Sequence, residues 1–350
     1  MILHQIRNPQ AAHLGLKIVR RRQCILKGRR ERMDITIVVP TFNRREIVQH
    51  TLATIFAQNS PSSAYEVIVV VDGSTDGTAE ALRALRPACR FRVIEQENRG
   101  LAGARNTGFR AAEAALVLFL DDDMLCDPGL VAAHIAAHSD SSPMVAFGAL
   151  FLSNDSPPSL AAECFNREIG AYHLKHRQSP ETPWQVEDCV FSNSSLSRDL
   201  LAAAGGFDER FRMREDLDLG IRLFSAGVRA KYVADAIAYQ YYEKTAADLI
   251  RDAEAFAVSD VLLARKHPEA RIKGQLSWLA SEPFLKRNLR RIAALSPPLV
   301  DLVLTPFCAA GEALFDIPVF RSMGVRALQM RRRIHWLHKA HELGIPASET

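Results

Sequence analysis

Between residues 34 and 120 the chain alternates short runs of apolar, β-branched residues with segments of helical length, and few folds satisfy that alternation. Asp34-Ile35-Thr36-Ile37-Val38-Val39-Pro40 reads as a first strand, Tyr65–Val71 as a second, Phe91–Glu95 as a third and Leu116–Leu120 as a fourth. Thr78–Leu85 and the small-residue stretch Gly103–Ala115 read as helices between them. Strand–helix units in succession predict an α/β fold with a mostly parallel sheet flanked by helices. Ligands in such sheets sit at the carboxyl ends of the strands, so the residues that follow each run carry the functional reading. Further on, Val131–His138 reads as a helix, Met144–Phe151 as a strand and Glu187–Ser197 as extended. Leu217–Ala226 is a helix closed by Gly227, and Val228–Val233 returns as a strand. Beyond about Thr245 the chain turns helical and basic, with breaks expected at Pro268, Pro297-Pro298 and Pro306. The division is a basic arm over 1–33, an α/β domain over 34–245 and a helical region over 246–350.

Charge is unevenly spread. Residues 1–33 hold nine Arg/Lys against Glu31 alone, a net of +8, so the net +4 of the whole chain leaves −4 for the remainder. A mildly acidic globular part does not suit nucleic-acid binding. The six cysteines form no CxxC or Cys/His cluster, which suits a reducing compartment and offers neither a zinc site nor a disulfide framework. Without a signal-peptide pattern or a long uncharged apolar stretch, the protein reads as cytoplasmic.

The strongest local signal is Asp121-Asp122-Asp123, three carboxylates at the end of the fourth strand. Adjacent acids repel, and a divalent cation such as Mn²⁺ or Mg²⁺ would neutralise them; a solvated acidic turn or helix cap is the plainer reading. On an extended segment Asp121 and Asp123 share a side while Asp122 faces away. Asp72 ends the second strand, where a carboxylate serves either a nucleoside or a turn, and Asp76 before Gly77-Thr78 reads as a helix cap. Arg105, in a helix that begins among glycines, reads either as a pyrophosphate contact or as an internal brace. A second acidic cluster follows Gly205-Gly206-Phe207-Asp208. There Glu215, Asp218 and Arg222 line one side of a helix as a surface ion-pair set, and Asp216 lies about 100° away with the helix dipole favouring its ionised form.

Taken in order, five segments resemble the family 2 glycosyltransferases of the GT-A fold. They are Val39-Pro40-Thr41-Phe42-Asn43-Arg44, Val71-Asp72-Gly73-Ser74-Thr75-Asp76-Gly77-Thr78, Asn98-Arg99-Gly100 with Ala104-Arg105-Asn106, Leu120-Asp121-Asp122-Asp123, and Gly205-Gly206-Phe207-Asp208 with Glu215-Asp216. The resemblance implies inverting transfer of a sugar from a nucleotide-diphosphate donor to an acceptor hydroxyl. It implies that Pro40, Thr41 and Asp72 hold the nucleoside, with Asn43, Arg44, Arg105, Asp121 and Asp122 completing the donor site. Asp121 and Asp123 would form a DxD motif for Mn²⁺ or Mg²⁺, and Asp216, beside Glu215, would be the general base. Many members carry a histidine near the end of the strand after the acidic helix, where this chain has Gln240, which puts a metal ligand beyond the DxD motif in doubt.

Two rivals stand beside this reading. A nucleotidyltransferase would usually bring a glycine-rich loop with a lysine early in the chain, and residues 34–50 contain no lysine. An inactive sugar-nucleotide or glycan-binding relative would not need Asp121, Asp123 and Asp216 intact. The acceptor, a glycan or lipid-linked sugar of cell-surface polysaccharide or glycolipid synthesis, is expected against Trp184–Ser195 and the C-terminal region. Basic and apolar residues interleave over 284–340, from Lys286 and Arg287 to Trp336, and that pattern predicts peripheral contact with a membrane's inner face.

Overall fold

The computed structural model of the chain describes residues 33–139, 142–178, 184–268 and 290–344. Of the expected basic arm only Met33 falls among them. The described chain divides into two compact units.

The first unit runs to Phe151 and takes in Tyr172–Arg210 and Glu215–Gln240. Its elements follow as β1 (Ile35–Thr41), α1 (Arg45–Phe56), β2 (Tyr65–Asp72), α2 (Thr78–Arg83), β3 (Arg90–Gln96), α3 (Gly100–Ala111), β4 (Leu116–Leu120), β5 (Met124–Cys126), α4 (Leu130–Ala137) and β6 (Met144–Leu152). Helix α5 (Leu160–Gln178), which enters this unit only from Tyr172, comes next, then β7 (Asn193–Ser197), α6 (Arg198–Ala203), α7 (Glu215–Ser225) and β8 (Arg229–Gln240). One sheet of order β3-β2-β1-β4-β7-β6-β8-β5 joins the strands. β3, β2, β1 and β4 are mutually parallel, with Val38 facing Ile68 on one side and Phe119 on the other. Beyond β4 the pairing turns antiparallel, through Phe119 opposite Ser194 and Phe147 opposite Ser194. The β1 and β2 runs are buried on both faces, which is why they read as continuous apolar stretches rather than alternating ones.

The parallel half brings Thr41, Asp72, Gln96 and Leu120 to one edge of the sheet. Helix α3 lies close on β1, since a Cβ at Gly108 would come within 2.2 Å of Val38 Cγ1. Phe119, Phe147, Phe191 and Phe207 build the core beyond β4, with Phe119 and Phe207 edge to face at 5.2 Å. Trp184–Ser195, expected to border the acceptor, belongs in good part to this interior: Ser194 and Ser195 have no exposed surface, and Trp184 stacks on Phe147. An extended reading of Glu187–Ser197 missed that the strand belongs in the middle of the sheet, where either face is covered.

The second unit comprises Leu152–Ala171, Phe211–Arg214 and the chain from Tyr241 on. Helix α8 (Ala246–Lys266) starts on a capping box, in which Thr245 N–H donates to Asp248 Oδ2 at 2.8 Å and Thr245 Oγ1 accepts from Asp248 N–H at 3.2 Å. It is followed by α9 (Pro297–Ala313) and α10 (Pro318–Glu342). Pro297-Pro298 begins α9 as expected, but Pro306 does not break it. Pro306 is on the exposed side of the helix, so its missing N–H costs no buried hydrogen bond, and close packing of Gly311 on Gly324 holds α9 to α10. Trp336, expected from the sequence among the membrane-contacting residues, is instead fully buried and donates its indole N–H to Asp260 at 2.9 Å, while Lys286 and Arg287 of that pattern lie outside the described residues. No helix among the described residues is long and apolar enough to cross a membrane.

Candidate active site

All of the site residues picked out in the sequence belong to the first unit, at the carboxyl edge of the parallel strands. The loop after β1 is fixed by Asn43, which sits in the left-handed region at φ 50°. Its Oδ1 accepts from Thr75 N–H at 2.7 Å, and its own N–H donates to Ser74 Oγ at 2.9 Å. Asp76 ties the same two loops from the other side, accepting from Arg45 N–H and from both Thr78 N–H and the Thr78 hydroxyl. The helix-cap expectation for Asp76 is met, and the residue serves a second helix as well.

Asp72 is buried at the end of β2. One carboxylate oxygen accepts from Gln96 Nε2 at 2.6 Å and Arg99 N–H at 2.9 Å, the other from Gly100 N–H at 2.8 Å. It therefore caps the positive end of α3. Five residues into that helix Arg105 lies almost wholly inside the protein. Its guanidinium donates to Asp121 Oδ1 at 2.7 Å and to Glu215 Oε1 at 2.8 Å, which is the brace reading. Burial opposes its charge, but Asp121, Glu215 and Asp216 outweigh burial and raise its pKa.

The acidic triplet differs from its expectation. Residues 121–123 turn rather than continue β4, with Met124 N–H bonded back to Asp121 C=O, so alternation does not apply. Asp122 and Asp123 meet one cation: Arg44 donates to Asp122 Oδ1 at 2.8 Å and to Asp123 Oδ2 at 3.1 Å. Thr41 Oγ1 donates to Asp122 Oδ2 at 2.6 Å, and Thr51 Oγ1 to the Asp122 carbonyl at 2.7 Å. Asp121 points to Arg105 instead and is the most exposed of the three. Burial pushes Asp122 up to about 7 against the pull of Arg44, and burial likewise raises Asp123. Gln240 Nε2 donates to Asp123 Oδ2 at 3.2 Å, which leaves Asp123 Oδ1 buried with no hydrogen-bond partner among the described residues. A buried carboxylate oxygen left without a partner is a donor that a hard divalent cation takes. Among the described residues no three His, Cys, Asp or Glu side chains converge on one point, so the protein offers fewer ligands than a closed metal cage.

The second acidic cluster also needs correction. Asp218 and Arg222 do pair, at 2.7 Å, but Asp218 is fully buried, and the pair is not a surface one. Arg222 also donates to the carbonyls of Ala204 and Gly206, fixing the loop before α7. Glu215 leaves that set and faces Arg105. Helical spacing ranks only partners on the same helix, and α3 brings a nearer one from 110 residues away. Burial and the neighbouring Asp216 hold Glu215 well above the usual carboxylate range, with Arg105 opposing. Asp216 is half-buried in the first turn of α7, its Oδ1 accepting from Leu217 N–H at 2.8 Å. Sequence reasoning missed Gln96, Thr51 and the role of Asn106, whose side chain bonds both ways with the Phe207 backbone at 2.8 and 2.9 Å. Only Asn106 carried a signal, its place directly after Arg105.

Residues 36–204 match the family described as Glycosyl transferase family 2, and the stretch runs from β1 through the acidic triplet to the end of α6. This stretch belongs to glycosyltransferase family 2. Among curated relatives, the chain is 29% identical over 275 residues to validoxylamine A glucosyltransferase of Streptomyces hygroscopicus subsp. jinggangensis, covering 70% of this chain and 63% of that one. It is 29% identical over 252 residues to chondroitin synthase of Escherichia coli, covering 63% of this chain and 35% of that one. The chain thus spans less than two thirds of the length of these relatives. Among solved structures it is similar to the mannosyltransferase PcManGT from Pyrobaculum calidifontis, in complex with GDP-Man and Mn²⁺. The TM-score is 0.58 at 20% identity, covering 92% of this chain and 93% of that one. The fold is GT-A, with helices added at the C-terminal end.

Proposed function

We propose that the protein is an inverting, metal-dependent glycosyltransferase that moves a sugar from a nucleotide-diphosphate donor to an acceptor hydroxyl. The observation that carries the reading is the chain Asp121–Arg105–Glu215. One buried guanidinium joins the acidic turn after β4 to the first turn of α7, and so ties Asp121 to the turn that carries Asp216.

Asp121 and Asp123 would hold Mn²⁺ or Mg²⁺, with the remaining coordination from donor oxygens and water. This suits a site that offers one or two carboxylates, and the similar mannosyltransferase was solved with both a nucleotide sugar and Mn²⁺. When bound, the ion supplies positive charge against the charge that builds on the departing diphosphate. Asp216 takes the proton of the acceptor hydroxyl as its oxygen bonds to the anomeric carbon and the bond to the diphosphate breaks, releasing the nucleoside diphosphate. The helix start sets Asp216 beside the positive end of the helix dipole, and burial raises the pKa of Glu215 next to it. Pro40, Thr41 and Asp72 hold the nucleoside; Asn43 shapes the loop around it, and Arg44 keeps Asp122 and Asp123 in place.

The acceptor in this reading is a glycan or a lipid-linked sugar of cell-surface polysaccharide or glycolipid synthesis, met at the inner face of a membrane. Incubation with a panel of nucleotide sugars tests the reaction class. A glycosyltransferase releases nucleoside diphosphate, whereas pyrophosphate release would point to nucleotidyl transfer, and no release from any donor would favour a binding protein.

A further inference from the structure

Helix α9 has two unlike faces. Leu304, Cys308 and Gly311 turn inward toward the cluster built with Val325 and Leu328 of α10. Leu299, Leu302, Val303, Pro306 and Phe307 recur at the spacing of a single helix face and turn outward. Leu302 is 73% exposed, and the patch continues to Leu295 at 74% and to Val319 at 68%. Apolar surface of this extent on one side of a folded unit marks a contact with something else.

Charge decides between candidates for that contact. The acids of α9 are both engaged within the unit, Asp301 by Arg331 and His335 and Glu312 by the Leu160 N–H. Cations bracket the patch, with Arg291 just before Ile292 and Arg321 over the Phe315 ring beyond the far end, while Arg326 is exposed on α10; against them stands one exposed acid between the two helices, Asp316. Residues 290–344 hold eight Arg/Lys against four Asp/Glu, a net of +4, whereas residues 34–289 hold 27 against 34, a net of −7. Two copies meeting through this face would bring like charges together. An anionic surface would meet opposite charge.

We propose that the outward face of α9, with its apolar neighbours from Ile292 to Val319, lies in the interface of an anionic lipid bilayer. The side chains enter the acyl boundary, and the flanking arginines meet the headgroups. No described helix can span, so the helix lies in the plane of the membrane. The proposal rests on the glycosyltransferase reading only for its purpose, bringing the donor site to a membrane-borne acceptor.

Vesicle flotation of the full chain tests it without any nucleotide sugar. The protein should rise with phosphatidylglycerol-rich vesicles at low salt, and bind about tenfold more weakly to pure phosphatidylcholine or at high salt. Leu302→Asp with Phe307→Asp should abolish flotation while leaving the far-ultraviolet circular dichroism and nucleotide release unchanged, because both positions are exposed. Arg321→Glu with Arg326→Glu should weaken binding about tenfold on the anionic vesicles alone. Failure to float at any phosphatidylglycerol content, or flotation unaltered by Leu302→Asp with Phe307→Asp, would overturn the proposal. So would a dimer in solution that this pair of substitutions splits. Nucleotide release measured without vesicles reports the donor chemistry separately, so either reading can fail alone.

Discussion

Asp216 and Glu215 are neighbours in sequence, yet their surroundings assign them different work. Glu215 is buried against Arg105, so its carboxylate serves the framework, whereas Asp216 is half-buried and keeps exposed surface. Asp216→Asn should cut transfer by roughly 10²–10⁴-fold, the usual scale for losing a general base, and leave donor affinity nearly unchanged. Glu215→Gln keeps the shape and one hydrogen bond to Arg105 and should be milder; steady-state kinetics of the two variants compares them, and a more damaging Glu215→Gln would move the base to Glu215. Arg105→Met removes the partner of two acids at once. It should destabilise the fold by about 3 kcal/mol or more in urea titration, because it leaves Glu215 buried and uncompensated. A variant as stable as the parent would mean that the brace carries little of the fold.

Elements set these residues by close packing. Gly108 of α3 meets Val38 of β1 with no room for a side chain, so Gly108→Ala should cost about 1–3 kcal/mol and loosen the helix that carries Arg105. Thermal denaturation reads that loss. Between α4 and β7, His134 is fully buried, its ring nitrogens bonded to Ser195 Oγ at 2.8 Å and Asn193 Oδ1 at 2.9 Å. Burial lowers its pKa from 6.5 to about 4. Between those values the unfolded chain holds a proton that the folded chain refuses, so this contribution is complete above pH 6.5 and is lost as pH falls toward 4. The loss is roughly 3 kcal/mol, and His134→Gln should flatten that part of the stability profile in urea titrations at several pH values.

These elements also show what the sequence could disclose. β1, β2 and β4 were legible because both faces are buried and each run ends on polar residues at the site. Periodicity could not reveal that the triplet turns after Leu120, nor that Glu215 prefers Arg105 to Arg222. Both depend on contacts between segments far apart in the chain. Gln240 was visible as a departure from the family, but its bond to Asp123 required β8 to return beside β5, pairing Gln240 with Met124.

At the scale of the molecule, each unit has its own interior and its own charge balance. In the second unit Trp336 fills the core and shares Asp260 with Arg214, so Trp336→Ala should cost about 3–5 kcal/mol in thermal denaturation. A small loss there would place the stability of that unit elsewhere. The first unit gathers the acids, the two arginines that hold them and the loops after β1 and β2 at one edge of the sheet. That gathering is the basis on which metal-dependent sugar transfer is proposed. Release of nucleoside diphosphate from the preferred nucleotide sugar, followed in excess EDTA and after Mn²⁺ or Mg²⁺ is restored, tests it most directly. EDTA should abolish release, either ion should restore it, and Asp123→Asn should stay folded but inactive with both ions present; full activity in excess EDTA would rule metal dependence out.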